Sequence, residues 1–125
     1  MIVDTDVLVW YLRGNERALK AIEEQPRLRV SVVNYIELVQ GMRNKEELRR
    51  LRRAFREWEV EVLPVDERIS SKAVFYVERH FLSHGFHLAD ALVAATSVVS
   101  GFPLLTANTR HYRAIKELEL VRFRP

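Results

Sequence analysis

At 125 residues with no cysteine, the chain reads as one compact domain over 1–125, of a size that buries about two-thirds of its unfolded-chain surface. A hydrophobic fraction of 48% with 30% charged residues fits a globular protein, and the longest apolar run, Ala91 to Val99, is far short of a membrane span, so no membrane partner is expected. The 20 Lys and Arg against 17 Asp and Glu leave +3, a weak leaning toward nucleic acid; the missing cysteines exclude disulfides and zinc–thiolate sites, and without a basic-then-apolar leader the expected compartment is cytoplasmic.

Met1 to Val3 predicts a short opening strand. After the Asp4-Thr5-Asp6 break, Val7, Leu8, Trp10, Tyr11 and Leu12 suit a short helix with Asp6 as its expected N-cap and Gly14 at its end. Ala18, Leu19 and Ile22 continue as a second helix up to Pro26, Leu28 to Val33 alternates as a strand, and Asn34 to Met42 follows as a third helix. Next, Leu48, Leu51, Phe55 and Trp58 fall at helical spacing, so the basic residues between Arg43 and Arg56 occupy the outer face of an amphipathic helix. That face is either solvated or a surface for phosphate or an acidic partner.

Val60 to Val65 predicts a strand, and Asp66 an N-cap for a helix whose inward residues are Ile69, Ala73, Val77 and Phe81. Gly85 breaks the chain, so His80, His84 and His87 cannot share one face of one helix and read as surface or supporting histidines. Leu88 to Val99 predicts an apolar helix ending near Gly101, Pro103 to Thr106 a buried strand, Arg110 to Leu118 a helix and Leu120 to Phe123 a closing strand. The alternation predicts an α/β three-layer sandwich with a mostly parallel central sheet flanked by helices, whose ligands bind at the carboxyl ends of the strands.

Polar residues in apolar places fall at those ends. Asp4 follows the first strand, where a turn-forming Asp is the plain alternative. Glu37 lies in an apolar stretch, where placement near a helix N-terminus is the alternative. Asp90 sits inside His87-Leu88-Ala89-Asp90-Ala91-Leu92-Val93, where Asp is a poor helix-interior residue and capping is the alternative. Asn108 follows the last buried strand. With right-handed crossovers, Asp4, Glu37 and Asp90 converge, and such a carboxylate cluster is costly unless a hard cation, Mg²⁺ or Mn²⁺, sits among its oxygens. A cation so held can activate water for phosphodiester hydrolysis.

Four segments taken together, Ile2 to Leu12, Ser31 to Leu38, Leu88 to Thr96 and Leu104 to Tyr112, resemble the PIN-domain family, and their order and spacing are similar to VapC-type toxins over nearly the whole chain. The resemblance implies a metal-dependent ribonuclease with Mg²⁺ or Mn²⁺ in its acidic pocket. It further implies endonucleolytic cleavage of RNA, a homodimer, and a cognate antitoxin whose C-terminal segment covers the site. Asp4, Glu37 and Asp90 match the family's acidic positions, Thr106 its small hydroxyl residue, and Asn108 falls where many members have Asp. Asn108 cannot supply a fourth negative charge, so it is expected to orient a metal-bound water or a carboxylate. Thr5 is expected to donate to a pocket carboxylate. Asp6 either restores charge or caps the first helix, and Arg110 and His111 could contact phosphates.

Two other readings are open to the same residues. A non-catalytic protein of this fold could use the acidic pocket as a socket for a partner's arginine. A phospho-acceptor domain should carry an adjacent acidic pair after its first strand and a Lys after its last, and this chain separates Asp4 from Asp6 by Thr5 and has no such Lys.

Overall fold

The computed structural model describes residues 1–125, the side chain of His84 excepted. In chain order the elements are β1 (Ile2–Val3), α1 (Thr5–Leu12), α2 (Glu16–Glu23), β2 (Arg29–Ser31), α3 (Val32–Gln40), α4 (Lys45–Glu57), β3 (Glu61–Leu63), α5 (Glu67–His84), α6 (Leu88–Ser100), β4 (Leu104–Thr106), α7 (Thr109–Tyr112) and β5 (Leu120–Arg122). The strands form one sheet in the order β3-β2-β1-β4-β5, every pair parallel, with Ile2 beside Arg29 and Leu104, and Val3 beside Leu105. No helix among the described residues is long and apolar enough to cross a membrane.

Successive side chains of a strand point to opposite faces, and this splits the interior into two layers. Ile2 and Leu104 join Ile69, Ala73, Tyr76, Ala91, Ala94 and Ala95 under α5 and α6, whereas Val3 and Leu105 join Val7, Leu8, Val30, Leu38, Leu51 and Phe55 under α1 to α4. The expected three-layer sandwich with a parallel sheet is what forms.

Several boundaries differ from the sequence expectation. The strand expected over Leu28 to Val33 ends at Ser31, because Ser31 caps α3: its Oγ accepts from Val33 N at 3.1 Å while Asn34 Oδ1 accepts from Ser31 N at 3.1 Å. That reciprocal capping box draws Val32 and Val33 into the helix despite their β-branched side chains. The first helix is capped by Asp4, extended at φ −73° and ψ 158°, and not by Asp6, which lies in its first turn. The helix expected over Arg110 to Leu118 stops at Tyr112. Beyond it, Ile115 N bonds Tyr112 O and Leu118 N bonds Ile115 O, and the buried side chains recur every three residues at Tyr112, Ile115 and Leu118. A spacing of three suits tight i→i+3 turns better than an α-helix.

On α5, Ile69 and Ala73 are buried as expected and Val77 is half-buried, but Phe81 is 53% exposed and Tyr76 takes a core position in its stead. Tyr76 donates to Glu117, which also pairs with Lys72 at 2.9 Å, tying α5 to the turn before β5. Of the three histidines, His80 sets its ring edge toward Phe86, His87 is the exposed N-cap residue of α6, and the side chain of His84 lies outside the described residues.

Gly101 ends α6 at φ +76° with its N–H on Ser97 O and Val98 O, and a Cβ built there meets no atom within 4 Å. The cost of a side chain at this position is therefore conformational and not steric. Gly101→Ala is expected to lower the unfolding free energy by about 1 kcal/mol, measurable by urea titration, and an unchanged midpoint would contradict the left-handed cap.

Candidate active site

The chain runs outward from β1 through β2 to β3, then returns over α5 and α6 to lay β4 and β5 on the other side of β1. The carboxyl ends of β1 and β4 thus flank the point where the winding reverses, the place where parallel α/β sheets leave a crevice. Asp4 directly follows β1 and Thr106 ends β4. Because α3 starts at the end of β2, Glu37 stands in its second turn near the same edge. Since α6 leads into β4 and runs antiparallel to the strands, its first turn, carrying Asp90, also faces that edge.

Asp4 is the buried centre of the arrangement, 8% exposed. Its Oδ1 accepts from Thr5 N at 2.9 Å and Asn34 Nδ2 at 3.1 Å, and its Oδ2 accepts from the Thr106 hydroxyl and the Tyr112 hydroxyl, each at 2.9 Å. Four donors use the whole accepting capacity of one carboxylate. Asn34, fully buried, gives its second amide hydrogen to Thr5 Oγ1 at 3.0 Å, and Thr5 Oγ1 in turn donates to Glu37 Oε1 at 2.7 Å. One chain of hydrogen bonds therefore orients Asp4 and Glu37 together.

Asp6 holds the other wall. Its Oδ1 accepts from Val7 N at 2.7 Å, and its Oδ2 accepts from Ala107 N at 3.1 Å beside the Thr106 hydroxyl at 3.4 Å. Thr106 Oγ1 accepts from Asn108 N at 3.1 Å. The segment from β4 to α7 is thereby pinned to the first turn of α1. Asn108 Nδ2 lies 3.0 Å from His111 Nδ1, and that nitrogen lies 3.7 Å from Asp90 Oδ2.

A cavity of about 300 Å³ is lined by Asp4, Thr5, Asp6, Glu37, Asp90, Asn108, His111 and Tyr112, together with Ala89 and Val93. All three expected carboxylates meet there, as do Thr5, Asp6, Asn108 and His111. Thr106 stands behind Asp4 and not in the lining, and Arg110 is exposed away from it. Sequence reasoning left two supporting residues without a role, Asn34 and Tyr112. The Ser31-x-x-Asn34 spacing signalled a cap; nothing local signalled the Tyr112 bond, which spans 108 positions.

Burial pushes the Asp4 carboxyl up from its ordinary value, the hydrogen bonds from Thr106, Tyr112 and Thr5 oppose that, and the nearby Asp90 charge adds to it. Asp6 is pushed up to about 6 by burial and then by Asp4. Tyr112 is also raised, by burial and by the Asp4 and Asp90 charges, so its hydroxyl remains a donor. Among the described residues no three His, Asp or Glu side chains already stand as a ligand group for a metal ion. The donor set around the cavity nevertheless suits a hard divalent cation, being made of carboxylate oxygens. Glu37, which accepts from Thr5, and Asp90, which lies 3.7 Å from His111 Nδ1, keep accepting capacity that Asp4 has spent.

A doubly flanked parallel sheet with carboxylates gathered at its reversal point defines a class of α/β domain with an acidic crevice. A model of the PIN domain matches residues 1–117, and the chain belongs to the PIN-domain family. It is 36% identical over 125 residues to ribonuclease VapC10 of Mycobacterium tuberculosis, covering 95% of this chain and 90% of that one. In fold it is similar to a toxin–antitoxin complex chain from Klebsiella pneumoniae, with a TM-score of 0.80, 22% identity and 96% and 94% of the two chains covered. It is also similar to a chain of VapBC2 from Rickettsia felis, solved bound to a promoter DNA fragment, with a TM-score of 0.79, 16% identity and 98% of each chain covered.

Two outcomes follow from this geometry. Asn34→Ala leaves Ser31 N, Thr5 and Asp4 each short of a partner and is expected to cost about 2–3 kcal/mol of stability, read from denaturant unfolding; Asn34→Ala with a wild-type midpoint would show that the network does not support the fold. For pH, the folded Asp6 value near 6 lies above the ordinary 3.8, so its stabilising contribution is complete below the ordinary value and is lost as pH rises through about 6. The raised Asp4 acts in the same direction. In chelator, the melting temperature is expected to fall as pH rises through this window, and Asp6→Asn should flatten the fall.

Proposed function

We propose that this chain, as a single nuclease domain over 1–125, is a Mg²⁺- or Mn²⁺-dependent endoribonuclease that acts as the toxin of a toxin–antitoxin pair. The observation that carries the reading is the meeting of Asp4, Glu37 and Asp90, from three separate elements, on one cavity at the reversal point of the sheet. The ribonuclease name of the 36% identical relative supports it.

In this reading Glu37 and Asp90 would hold the ion with their spare oxygens, and Asp4 would join them once one of its four donors turns away. The ion, when bound, supplies an activated water and screens the charge gathering on the phosphate. Asn34, Thr106 and Tyr112 fix the Asp4 carboxylate, and Thr5 turns Glu37 toward the cavity. Asn108 and His111, paired in the cavity lining, could contact an entering phosphate, and the exposed Arg110, outside that lining, could meet only a flanking one. An antitoxin is the protein partner, supported by the toxin–antitoxin complex among the fold relatives. The exposed Val74, Phe75, Phe81 and Leu82 on α5 support a homodimer, since such a patch is rarely left to water. The cytoplasm is the proposed compartment.

A second reading has one observation in its favour. Because Asp4 already accepts four donors, the spare oxygens of Glu37 and Asp90 could accept a partner's guanidinium in a protein that cuts nothing.

The two readings separate on cleavage of total cellular RNA. The purified protein is expected to cut with Mg²⁺ or Mn²⁺ and to stop in chelator, and Asp90→Asn should cut at least about 100-fold more slowly while staying folded. Asp4→Asn should also fold, since the Thr106 and Tyr112 hydroxyls can accept from the new amide as readily as they donated to the carboxylate. Cutting that persists in Asp90→Asn, or in chelator, would overturn the proposed mechanism.

A further inference from the structure

The basic face of α4 is divided. Arg43 pairs with Glu47 at 2.8 Å and Arg50 with Glu46 at 3.5 Å, while Arg52 and Arg56 have no ion-pair partner among the described residues. These two line a groove of about 830 Å³ on the far side of Trp58 from the acidic crevice, and the groove floor carries Tyr35, Phe55 and Trp58. Arg27 closes it, held by Glu61 at 3.3 Å and by the Glu59 carbonyl at 3.4 Å. With Arg27 paired to Glu61, the lining sets Arg52 and Arg56 against one glutamate, Glu59. Arg49 and Arg53, on the same helix, are exposed and line neither this groove nor the cleft beside it.

This groove is not isolated from the crevice. Trp58 borders both it and that second cleft, which also contains Arg50, Thr5 and Glu37, and Thr5 and Glu37 border the acidic cavity in turn. A chain leaving the acidic cavity past Glu37 would meet Arg50, then Trp58, then Arg52 and Arg56.

We propose that the groove between α4 and β3 is a subsite for single-stranded RNA, with Arg52 and Arg56 on its phosphates and the Tyr35 and Trp58 rings against its bases. This deepens the proposed ribonuclease reading and rests on it. Guanidinium groups without an ion-pair partner, lining one groove with aromatic rings, suit an anionic chain that also carries flat faces, and single strands are bound in this way without sequence preference. An acidic peptide would satisfy the arginines but bring no flat faces to Tyr35 and Trp58, whose contacts with Phe55 and Tyr11 are tilted and edge-on and not stacked. Nor does the adjoining sheet edge invite strand addition, since β3 is three residues long and Pro64 follows it without an N–H.

The test uses two charge-matched double variants in an Asp90→Asn background, so that the probe is not cut. Arg52→Gln/Arg56→Gln removes the groove charges, and Arg49→Gln/Arg53→Gln removes two from the outer face of the same helix. Binding of a fluorescent oligoadenylate is followed by anisotropy against salt. The groove variant is expected to weaken binding and to reduce the slope of log K against log salt by about 0.7 for each phosphate that is no longer neutralised, while the outer-face variant keeps the parent slope. Equal weakening in both variants, or in neither, would overturn the proposal, as would a polyglutamate probe that alone binds with this arginine dependence. An oligodeoxyadenylate bound as tightly would replace RNA by single strands of either kind. The parent reading is scored separately by cutting of cellular RNA with Asp90 intact: cutting together with unaltered slopes removes the groove alone, whereas neither cutting nor binding removes both.

Discussion

The burial of one carboxylate organises this molecule. Asp4 is 8% exposed, and a charge withdrawn from water to that degree is tolerated only when every accepting position is filled. The four donors come from four places in the chain: the start of α1, the first turn of α3, the end of β4 and the end of α7. Satisfying Asp4 therefore brings together the segments that carry the other cavity residues. It also explains the position of the first helix cap, because a carboxylate held in extended backbone after β1 is already placed to receive Thr5 N.

That organisation has an electrostatic consequence. Burial, with the Asp90 charge acting on Asp4 and the Asp4 charge on Asp6, pushes both carboxyls toward their protonated forms, and the donors around Asp4 only partly reverse this. The acidic crevice is thus a place where burial and like charges oppose ionisation, of the kind expected where function and stability pull apart. The residues that carry this load are also those with the fewest alternatives. Thr106, Asn34 and Tyr112 cannot be traded for apolar side chains of equal size without leaving Asp4 unpaired.

Much of the architecture was legible from spacing alone. The alternation of strands and helices, the apolar run of α6 and the Gly101 stop all follow from local rules that the tertiary structure leaves in force. The acidic residues were legible because Asp4, Glu37 and Asp90 each interrupt an apolar segment, and the family-like order of the four segments added their common destination. The errors arose where a local preference met a stronger long-range one. Asp6 looked like a cap because it precedes Val7 and Leu8, yet only its Oδ1 stays on Val7 N, while its Oδ2 is drawn across to Ala107 N, 101 positions away. Val32 and Val33 looked like strand because they are β-branched, and the Ser31–Asn34 capping box overrode them. Asn34 and Tyr112 were invisible as site residues since their partner lies in a segment that only the parallel sheet brings near.

Charge is distributed along the molecule in a way that the net value of +3 conceals. Asp4, Asp6, Glu37 and Asp90 are collected at the reversal point of the sheet, and Arg52 and Arg56, without an ion-pair partner among the described residues, stand on α4 in the groove that Trp58 lines. A surface of one sign would attract or repel a polyanion as a whole; a small negative centre approached over positive and aromatic surface does something else. In the proposed ribonuclease reading, a nucleic acid chain would be held by its flanks while the segment over Asp4, Glu37 and Asp90 would be repelled until a cation is bound there. Binding and reaction are then separable in such a molecule, and a variant that has lost one can keep the other. The order of the elements accounts for the separation, since α3 carries Tyr35 and Glu37 two positions apart, one bordering the basic groove and the other the acidic cavity.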